Sequence, residues 1–477
     1  MSKTRIVVVG GGSQYSVGLA ESLIDYARDR LPGAEVVLLD LRDDHLNVVH
    51  DYASRLARAA GVDMRFEKTT DRRQAFAGAD FILTTFRPGT HQEQYLDETT
   101  PPKYGLQGNE TLGIGGIFMA CRGVPALRDL CADAAAVCPE AWIINYTNPT
   151  QYVADAIRRL SRLRVIGLCD GYLEVADNLA PLLGVQPDDI TIYPAGTNHS
   201  TWVMRFTVAG EDGYPILRER LAQMTEAEIE RLYAPPPTFQ YRGGTAQSAE
   251  AYSQFIPGHY FPLSLKLFKL YGLLPAPRYY WRYQLEQDAV IAEQTSGHYT
   301  TMSGFYMQAV VPRLFDGMEQ RLARRSAALQ VTRRKGGGSH GDLAVRVIAA
   351  IANNQSELFV VNVPNRGAIA NLPAEAIVEV SAYVDRQGPH PLTLGPLPKP
   401  LLGYQLARIL SQELAIDAAL SGSREDLLKA ILADPLVHSM HAAEQAMDEL
   451  LARQAAWLPQ FHNPGNFGDN GNQGAAR

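Results

Sequence analysis

Cysteine is scarce in this chain of 477 residues: four thiols, at positions 121, 131, 138 and 169, show neither a short metal-binding spacing nor the density of a disulfide scaffold. Reduced thiols are therefore expected. No apolar run reaches the ~18 residues that a membrane-spanning helix needs. Positive charge is not in excess either; at a net −7 the chain has no general attraction for nucleic acid or anionic lipid, and neither is an expected partner. The opening Met1-Ser2-Lys3-Thr4-Arg5-Ile6 runs straight into a strand pattern and leaves no room for the zones of a signal peptide. A cytoplasmic location is the resulting expectation. No internal repeat is found.

What is present is a globular composition, 46% hydrophobic and 20% charged, over a length that allows two or three domains with their own cores. Strand runs alternate with amphipathic helix patterns through the first half. Strands are predicted at Arg5 to Val9, Glu35 to Asp40, Ala79 to Thr85, Ala141 to Asn145 and Val165 to Cys169, with helices over Leu19 to Leu31 and Leu46 to Ala60. That alternation predicts an α/β fold, a doubly wound parallel sheet of Rossmann type over residues 1–195. Beyond it, Thr201 to Val208 alternates as an antiparallel strand, and Ala246 to Leu329 reads as mainly helical with proline breaks. Phe359 onward and Ala376 to Asp385 read as strands, and Leu402 to about Gln454 as helices. Residues 196–460 are thus expected to form a C-terminal α+β, mainly helical domain. The Gly- and Asn-rich residues 461–477 are expected to be a disordered tail, and the basic stretch Arg333 to Gly338 an exposed loop.

The turn Gly10-Gly11-Gly12-Ser13-Gln14-Tyr15 follows the first strand and opens the first helix, the context that a pyrophosphate requires. Gly10 permits the tight turn, Gly12 lets the backbone approach phosphate, and Tyr15 stands where the usual fingerprint has its third glycine. Asp40 closes the second strand, where a carboxylate accepts hydrogen bonds from a ribose and disfavours a 2′-phosphate; NAD is expected rather than NADP. Thr84, Thr85 and Arg87, at the end of a later strand, are expected along the rim where nicotinamide and substrate meet.

Three more polar groups each follow an apolar run: Asn145-Tyr146-Thr147-Asn148-Pro149, Cys169-Asp170 and Asn198-His199. Strand ends of an open α/β sheet converge on one crevice, so these segments can meet. A thiolate and an imidazole suit a divalent transition ion and leave positions open for substrate oxygens, which makes Cys169 and His199 candidate metal ligands. Arg87, Arg122, Arg278, Arg282 and the Arg333 to Gly338 loop are candidate anion-binding groups.

Taken in order, the opening Gly-Gly-Gly-Ser, Lys103-Tyr104-Gly105-Leu106-Gln107-Gly108-Asn109-Glu110-Thr111 with Gly115-Gly116, Asn145 to Pro149, Cys169-Asp170, Asn198-His199, His340-Gly341 and Asn362-Val363-Pro364-Asn365-Arg366-Gly367 resemble glycoside hydrolase family four. That family contains NAD- and manganese-dependent α- and 6-phospho-glycosidases and departs from the usual two-carboxylate mechanism. The resemblance runs from about residue 3 to residue 450. It implies a fold like lactate and malate dehydrogenases, NAD and Mn2+ as cofactors, Cys169 and His199 as the metal ligands, and Asn148 in contact with substrate beside the metal. It further implies catalytic roles for Glu110 and Asp170, the latter as acid to the leaving oxygen, and a tyrosine base in the Tyr279-Tyr280 pair after Pro277-Arg278, with both tyrosines open. Asn109 departs from the family's usual Gln and is placed on the substrate side with Arg278. The implied chemistry is transient C3 oxidation of the sugar, C2 deprotonation, elimination, water addition and re-reduction. The expected substrate is a small glycoside with a phosphate, uronate or sulfonate at C6, as in the related NAD-dependent sulfoquinovosidases, and the expected assembly a homodimer or homotetramer.

Two readings from other classes compete: a net NAD-dependent dehydrogenase of a sugar or hydroxy acid, which would accumulate NADH, and an NAD-binding sensor without catalysis. Within the enzyme reading, a metal-free glycosidase would use Cys169 for packing alone.

Overall fold

The computed structural model describes residues 3–234, 260–276, 278–296, 301–305, 307, 315–327 and 340–462, and of residues 278, 279, 302, 305 and 340 the backbone only. Residues 463–477 of the expected tail, the 333–338 loop and the whole span 235–259 lie outside the described residues. Six strands, β1 (Arg5–Val9), β2 (Glu35–Leu39), β3 (Arg65–Thr69), β4 (Phe81–Thr84), β5 (Trp142–Asn145) and β6 (Arg164–Gly167), run parallel in the order β3-β2-β1-β4-β5-β6. This is the doubly wound order predicted, with its topological switch between β1 and β4. The strands read as continuous apolar runs because helices cover both faces. Successive residues go to opposite cores: Ile6 and Val8 pack with the residues of helix α1 (Gln14–Ala27), Val7 with those of the helix Gly113–Val137.

Beyond β6 the same sheet continues. β7 (Ile190–Gly196), β8 (Thr201–Val208) and β10 (Leu274–Ala276) form an antiparallel edge, with β9 (Glu211–Asp212) beside β8. Between β6 and β7 lie β11 (Glu357–Pro364) and β12 (Ile377–Asp385), the latter also carrying β13 (Gly388–Pro391). The sheet therefore runs through the position near residue 195 where the sequence pattern changes. The helix His340–Asn353 packs on α1, and three helices, Lys399–Ser421, Arg424–Ala433 and Met440–Arg453, occupy the span read as helical at the C-terminal end. No helix among the described residues is long and apolar enough to cross a membrane.

Three differences from the sequence reading have physical causes. Helix α1 begins at Gln14 rather than Leu19, because Ser13 caps it directly after the glycine turn, and it ends at Ala27, short of Pro32. β3, Arg-Phe-Glu-Lys-Thr, is a polar edge strand whose composition hides its pairing with β2. β10 interrupts a region read as helical and uses two apolar residues around Pro275 to pair with β8 at the sheet edge.

Candidate active site

β1 delivers the chain into the glycine turn. Gly10 adopts φ +92°, and a Cβ there would stand 2.5 Å from the carbonyl oxygen of Thr85, so glycine is required. Gly10 and Gly11 both donate to the carbonyl of Leu39 at 2.9 Å, which ties the turn to the end of β2. Asp40 accepts from Gly12 N–H through Oδ2 at 2.9 Å and from Leu41 N–H through Oδ1 at 2.7 Å. Ser13 Oγ accepts from Ser16 N–H at 3.3 Å, which starts α1 at Gln14 and sets its first-turn N–H groups beside the turn. Gly10 to Ser13 and Asp40 thus meet at one turn, with Gln14 and Tyr15 following as the first residues of α1. Leu41, 93% exposed at the rim of that turn, is an apolar residue that sequence reading passed over; its signal was its place directly after the acidic strand end.

At the end of β4 the expectation needs correction. Thr84 is fully buried and its hydroxyl donates to Asn145 Oδ1 at 2.6 Å, while Asn145 Nδ2 donates to Thr150 Oγ1 at 2.9 Å. Its side chain serves the β4–β5 junction, not the rim. Thr85 is half-buried at the glycine turn, and its backbone N–H donates to Val9 O at 2.9 Å. Arg87 is drawn away from the turn to Glu110, with Nη2 3.3 Å from Oε2, and Gln94 Nε2 donates to the same carboxylate at 2.5 Å. Beneath them Glu98 is buried, and burial together with the neighbouring Glu110 charge raises its carboxyl to about 7. Two arginines proposed for anions are otherwise engaged: Arg122 is buried in a two-pronged pair with Asp97, and Arg282 pairs with Glu293. Asn109 is also corrected in part. Its Oδ1 accepts from the N–H groups of Thr111 at 2.8 Å and Leu112 at 3.0 Å, bracing the entry into the helix Gly113–Val137.

Cys169 and His199, 30 residues apart in sequence, come together at the carboxyl ends of β6 and β7, with Sγ 3.4 Å from Nε2. Across the four strands just beneath them runs one row of paired residues, Gly167 with Asn362, Asn362 with Glu379 and Glu379 with Gly196. Glu379 Oε1 accepts from Asn362 Nδ2 at 3.1 Å and from Asn198 Nδ2 at 2.8 Å, so this carboxyl holds the residue before His199. His199 itself sits at φ +63°, a left-handed backbone that aims its ring at Cys169. Glu379 was missed by sequence reading; its signal was a lone carboxylate inside an apolar strand.

Electrostatics point the same way. Burial raises the Cys169 thiol well above its ordinary value, helped by the charges of Glu379 and Asp170. Burial, with Arg408 second, lowers His199 to about 4, so its imidazole is neutral and keeps a lone pair. Burial, with the Asp170 charge, holds the Glu379 carboxyl up at about 7 against the hydrogen bonds from Asn198 and Asn362. Such a crowd of acidic groups around a thiol and a neutral imidazole suits a soft-tolerant divalent cation. The separation fits as well. At zinc bond lengths, about 2.3 Å to sulfur and about 2.0 Å to nitrogen, two donors of one ion lie roughly 3.0–3.5 Å apart for angles between a right angle and tetrahedral. Among the described residues no third His, Cys, Asp or Glu completes such a group.

Asn148 is half-buried after β5, preceding Pro149 through a cis bond, and Asp170 stands next to Cys169. The two tyrosines part company. Tyr280 is fully buried, its hydroxyl bonded to Gln284 Oε1 at 3.2 Å and its ring beneath the Arg408 guanidinium, and burial holds its phenol far above the ordinary value. Arg408 acts on both this phenol and the His199 imidazole, which places Tyr280 on the side of the pair. Tyr279 and Arg278 open the helix Arg278–Leu285, and their side chains lie outside the described residues.

The fold and this site together define an α/β protein of dinucleotide-binding architecture with a thiol–imidazole pair at the carboxyl edge of its sheet. Residues 5–185 match the model of the family 4 glycosyl hydrolases, and residues 194–437 that of the family 4 glycosyl hydrolase C-terminal domain. The chain belongs to the family 4 glycosyl hydrolases and is a glycosidase. It is similar to a probable 6-phospho-beta-glucosidase of Bacillus subtilis (strain 168), with 32% identity over 466 residues, covering 96% of this chain and 98% of the relative. Its fold is similar to that of a 6-phospho-alpha-glucosidase from gut microorganisms solved in complex with NAD and Mn2+, with a TM-score of 0.80 and 24% identity over 96% of this chain and 99% of that one. A more distant likeness of fold reaches lactate dehydrogenase from Eimeria maxima, at a TM-score of 0.52 and 14% identity, covering 87% and 97% of the two chains.

Proposed function

We propose that this chain hydrolyses a small glycoside bearing an anionic 6-substituent, phosphate first, with NAD and a divalent ion, Mn2+ by choice, as cofactors. The observation that carries the reading is the 3.4 Å thiol–imidazole pair set on the same sheet edge as the glycine turn and Asp40. The name of the Bacillus relative supports phosphate. Bound NAD supplies a reversible hydride acceptor at C3 of the sugar, and a divalent ion supplies an electrophile for the C2 and C3 oxygens, so the C2 proton becomes acidic.

This chain's residues do the rest. Gly10 to Tyr15 and Asp40 hold the nucleotide, with Leu41 against its adenine. Cys169 and His199 seat the ion, and Asn148 positions the sugar beside it. Tyr279 takes the C2 proton, a task for which a lowered pKa is needed. Asp170 delivers a proton to the leaving oxygen, while Glu110, fixed by Arg87 and Gln94, orders the substrate side of the crevice. Arg278, next to Tyr279, receives the anionic substituent. Residues 1–195 hold the nucleotide and also bring Glu110, Asn148, Cys169 and Asp170 to the sugar side, while residues 196–460 add His199, Arg278 and Tyr279; one sheet joins the two. A cytoplasmic setting accords with four cysteines that form no disulfide, three of them buried. A homodimer or homotetramer accords with apolar side chains left exposed on the C-terminal helices, among them Leu410 and Met440.

The test is turnover of nitrophenyl glycosides carrying phosphate, carboxylate, sulfonate or hydroxyl at C6 and deuterium at C2. The expected result is cleavage of the phosphorylated substrate with loss of the label to solvent and no accumulation of NADH. Full retention of deuterium in the released sugar refutes the mechanism, and NADH growing with turnover establishes the dehydrogenase instead. Activity that survives rigorous chelation refutes the metal.

A further inference from the structure

One contact at the thiol–imidazole pair has no part in the roles assigned so far. Thr111 Oγ1 lies 3.3 Å from His199 Nδ1, on the side of the ring away from Cys169, and 3.1 Å from Asn109 Oδ1. The identity of that Asn109 atom is fixed, because the backbone N–H groups of Thr111 and Leu112 both point to it and only an oxygen accepts from them. A hydroxyl has one proton. The Thr111 hydroxyl stands in donor geometry to Asn109 Oδ1 at 3.1 Å, shared with the two N–H groups, and with its proton there it turns a lone pair toward His199.

We propose that Thr111 and Asn109 form a positioning relay that fixes the tautomer of His199, with the proton on Nδ1 and the lone pair of Nε2 aimed at the metal seat beside Cys169. Metal-binding imidazoles generally have their second nitrogen anchored in this way, which sets ring orientation and raises ligand basicity. The other side of the ring agrees, since the nitrogen that faces the Cys169 sulfur at 3.4 Å is the one left as acceptor. Two further features make the relay rigid. Thr111 is buried on the rim of the helix Gly113–Val137, and Gly116, one turn into that helix, has no room for a Cβ, which would lie 2.4 Å from the Thr111 carbonyl oxygen. The backbone of Thr111 is thus held between Asn109 and the helix. This chain's Asn109, which stands where the resembling motif has a longer side chain, reaches its three donors across only two and three residues.

The inference rests on Cys169 and His199 seating a divalent ion, and the experiment separates the two. Binding of Mn2+ to the full chain in the presence of NAD is measured by counting free Mn2+ by electron paramagnetic resonance, for the parent, His199→Ala, Thr111→Val and Thr111→Ser. A Mn2+ site in the parent that His199→Ala abolishes supports the seat; its absence from the parent sinks the seat itself. Given that site, Thr111→Val, which keeps the shape and removes the hydroxyl, is expected to raise the Kd about 10–100-fold, and Thr111→Ser to return it to within a few fold of the parent. A role in packing alone predicts the reverse ranking, because Val keeps the methyl that Ser lacks. Thr111→Val binding Mn2+ as tightly as the parent overturns the relay. Should that variant not fold, 15N spectra of histidine-labelled parent protein decide the question: His199 is expected as the Nδ1–H tautomer without metal, and the Nε2–H tautomer overturns the proposal.

Discussion

Three glycines near the N-terminus differ in what surrounds them, and alanine at each should give a different result. At Gly10 a new Cβ meets backbone, 2.5 Å from Thr85 O and 2.8 Å from Thr85 C, in a residue at φ +92°. No side-chain rotation relieves this contact, because Thr85 is tied to β1 by its N–H to Val9 O at 2.9 Å. A non-glycine residue held at such a φ costs about 1–3 kcal/mol, and overpacking a tight site costs about 1–3 kcal/mol more. Gly10→Ala should therefore lose about 2–6 kcal/mol, a large part of the ~5–15 kcal/mol that holds a domain together. At Gly12 the Cβ meets His45 Cβ at 2.9 Å and Asp40 Oδ2 at 3.1 Å. Asp40 Oδ2 can shift, whereas His45 Cβ moves only with its backbone; with no left-handed φ to strain, Gly12→Ala should lose about 1–3 kcal/mol, less than Gly10→Ala, while weakening NAD at least tenfold by placing a methyl where phosphate approaches. At Gly18, inside α1, nothing lies within 4 Å, and Gly18→Ala should gain about 0.4–1 kcal/mol. Urea unfolding gives the stabilities and calorimetric titration the NAD affinities. If Gly10→Ala unfolds at the parent's urea midpoint, or if Gly18→Ala is the least stable of the three, the account of the turn is wrong.

Two further outcomes follow from buried charges. Arg122 and Asp97 have no side-chain exposure and are joined at 2.5 and 3.1 Å, so Arg122→Met, which strands a buried carboxylate, should cost about 3–5 kcal/mol. The double variant Arg122→Met with Asp97→Leu should recover most of that loss in the same denaturation assay, and no recovery would show that the arginine acts through something other than this pair. Glu98 has its pKa raised from an ordinary 4.5 to about 7, chiefly by burial, so the folded chain holds its proton more tightly than the unfolded one. Its contribution to stability is then complete below about pH 4.5 and is lost as pH rises through about 7, a swing on the order of 3 kcal/mol. Glu379 titrates in the same window, so Glu98→Gln should flatten the decline in stability between pH 5 and 8 without abolishing it. An unchanged slope would contradict the assignment.

The parallel half of the sheet was legible because its strands are buried on both faces: Arg5 to Val9 and Glu35 to Leu39 could hardly be anything else between amphipathic helices. The glycine turn and its tie to Asp40 were legible for a related reason, since a strand, a turn and a helix start follow one another in one local motif. That Cys169 and His199 meet was legible from their places after strand runs. Thr84 was misjudged because sequence order does not say which way a side chain turns at a strand end, and it is equally silent on the burial of Tyr280. Glu379 and Thr111 were passed over because their work depends on contacts made across the sheet and between the helix entry and a distant loop. No local pattern reports such contacts. β3 shows the converse, as its charged residues conceal a strand that pairing alone defines.

β6 and β7 follow one another in the chain, yet β11 and β12 sit between them. A ribosome releases the two strands bearing Cys169 and His199 long before it has made the pair that must slot between them. Until then the emerging polypeptide carries two raw strand edges with no neighbour, a state prone to sticking to other chains. The meeting of Cys169 and His199 is consequently a late product of biogenesis: it is braced only after the polypeptide has doubled back from its far half, and a prematurely stopped translation product would have the glycine turn but not the strands that separate β6 from β7.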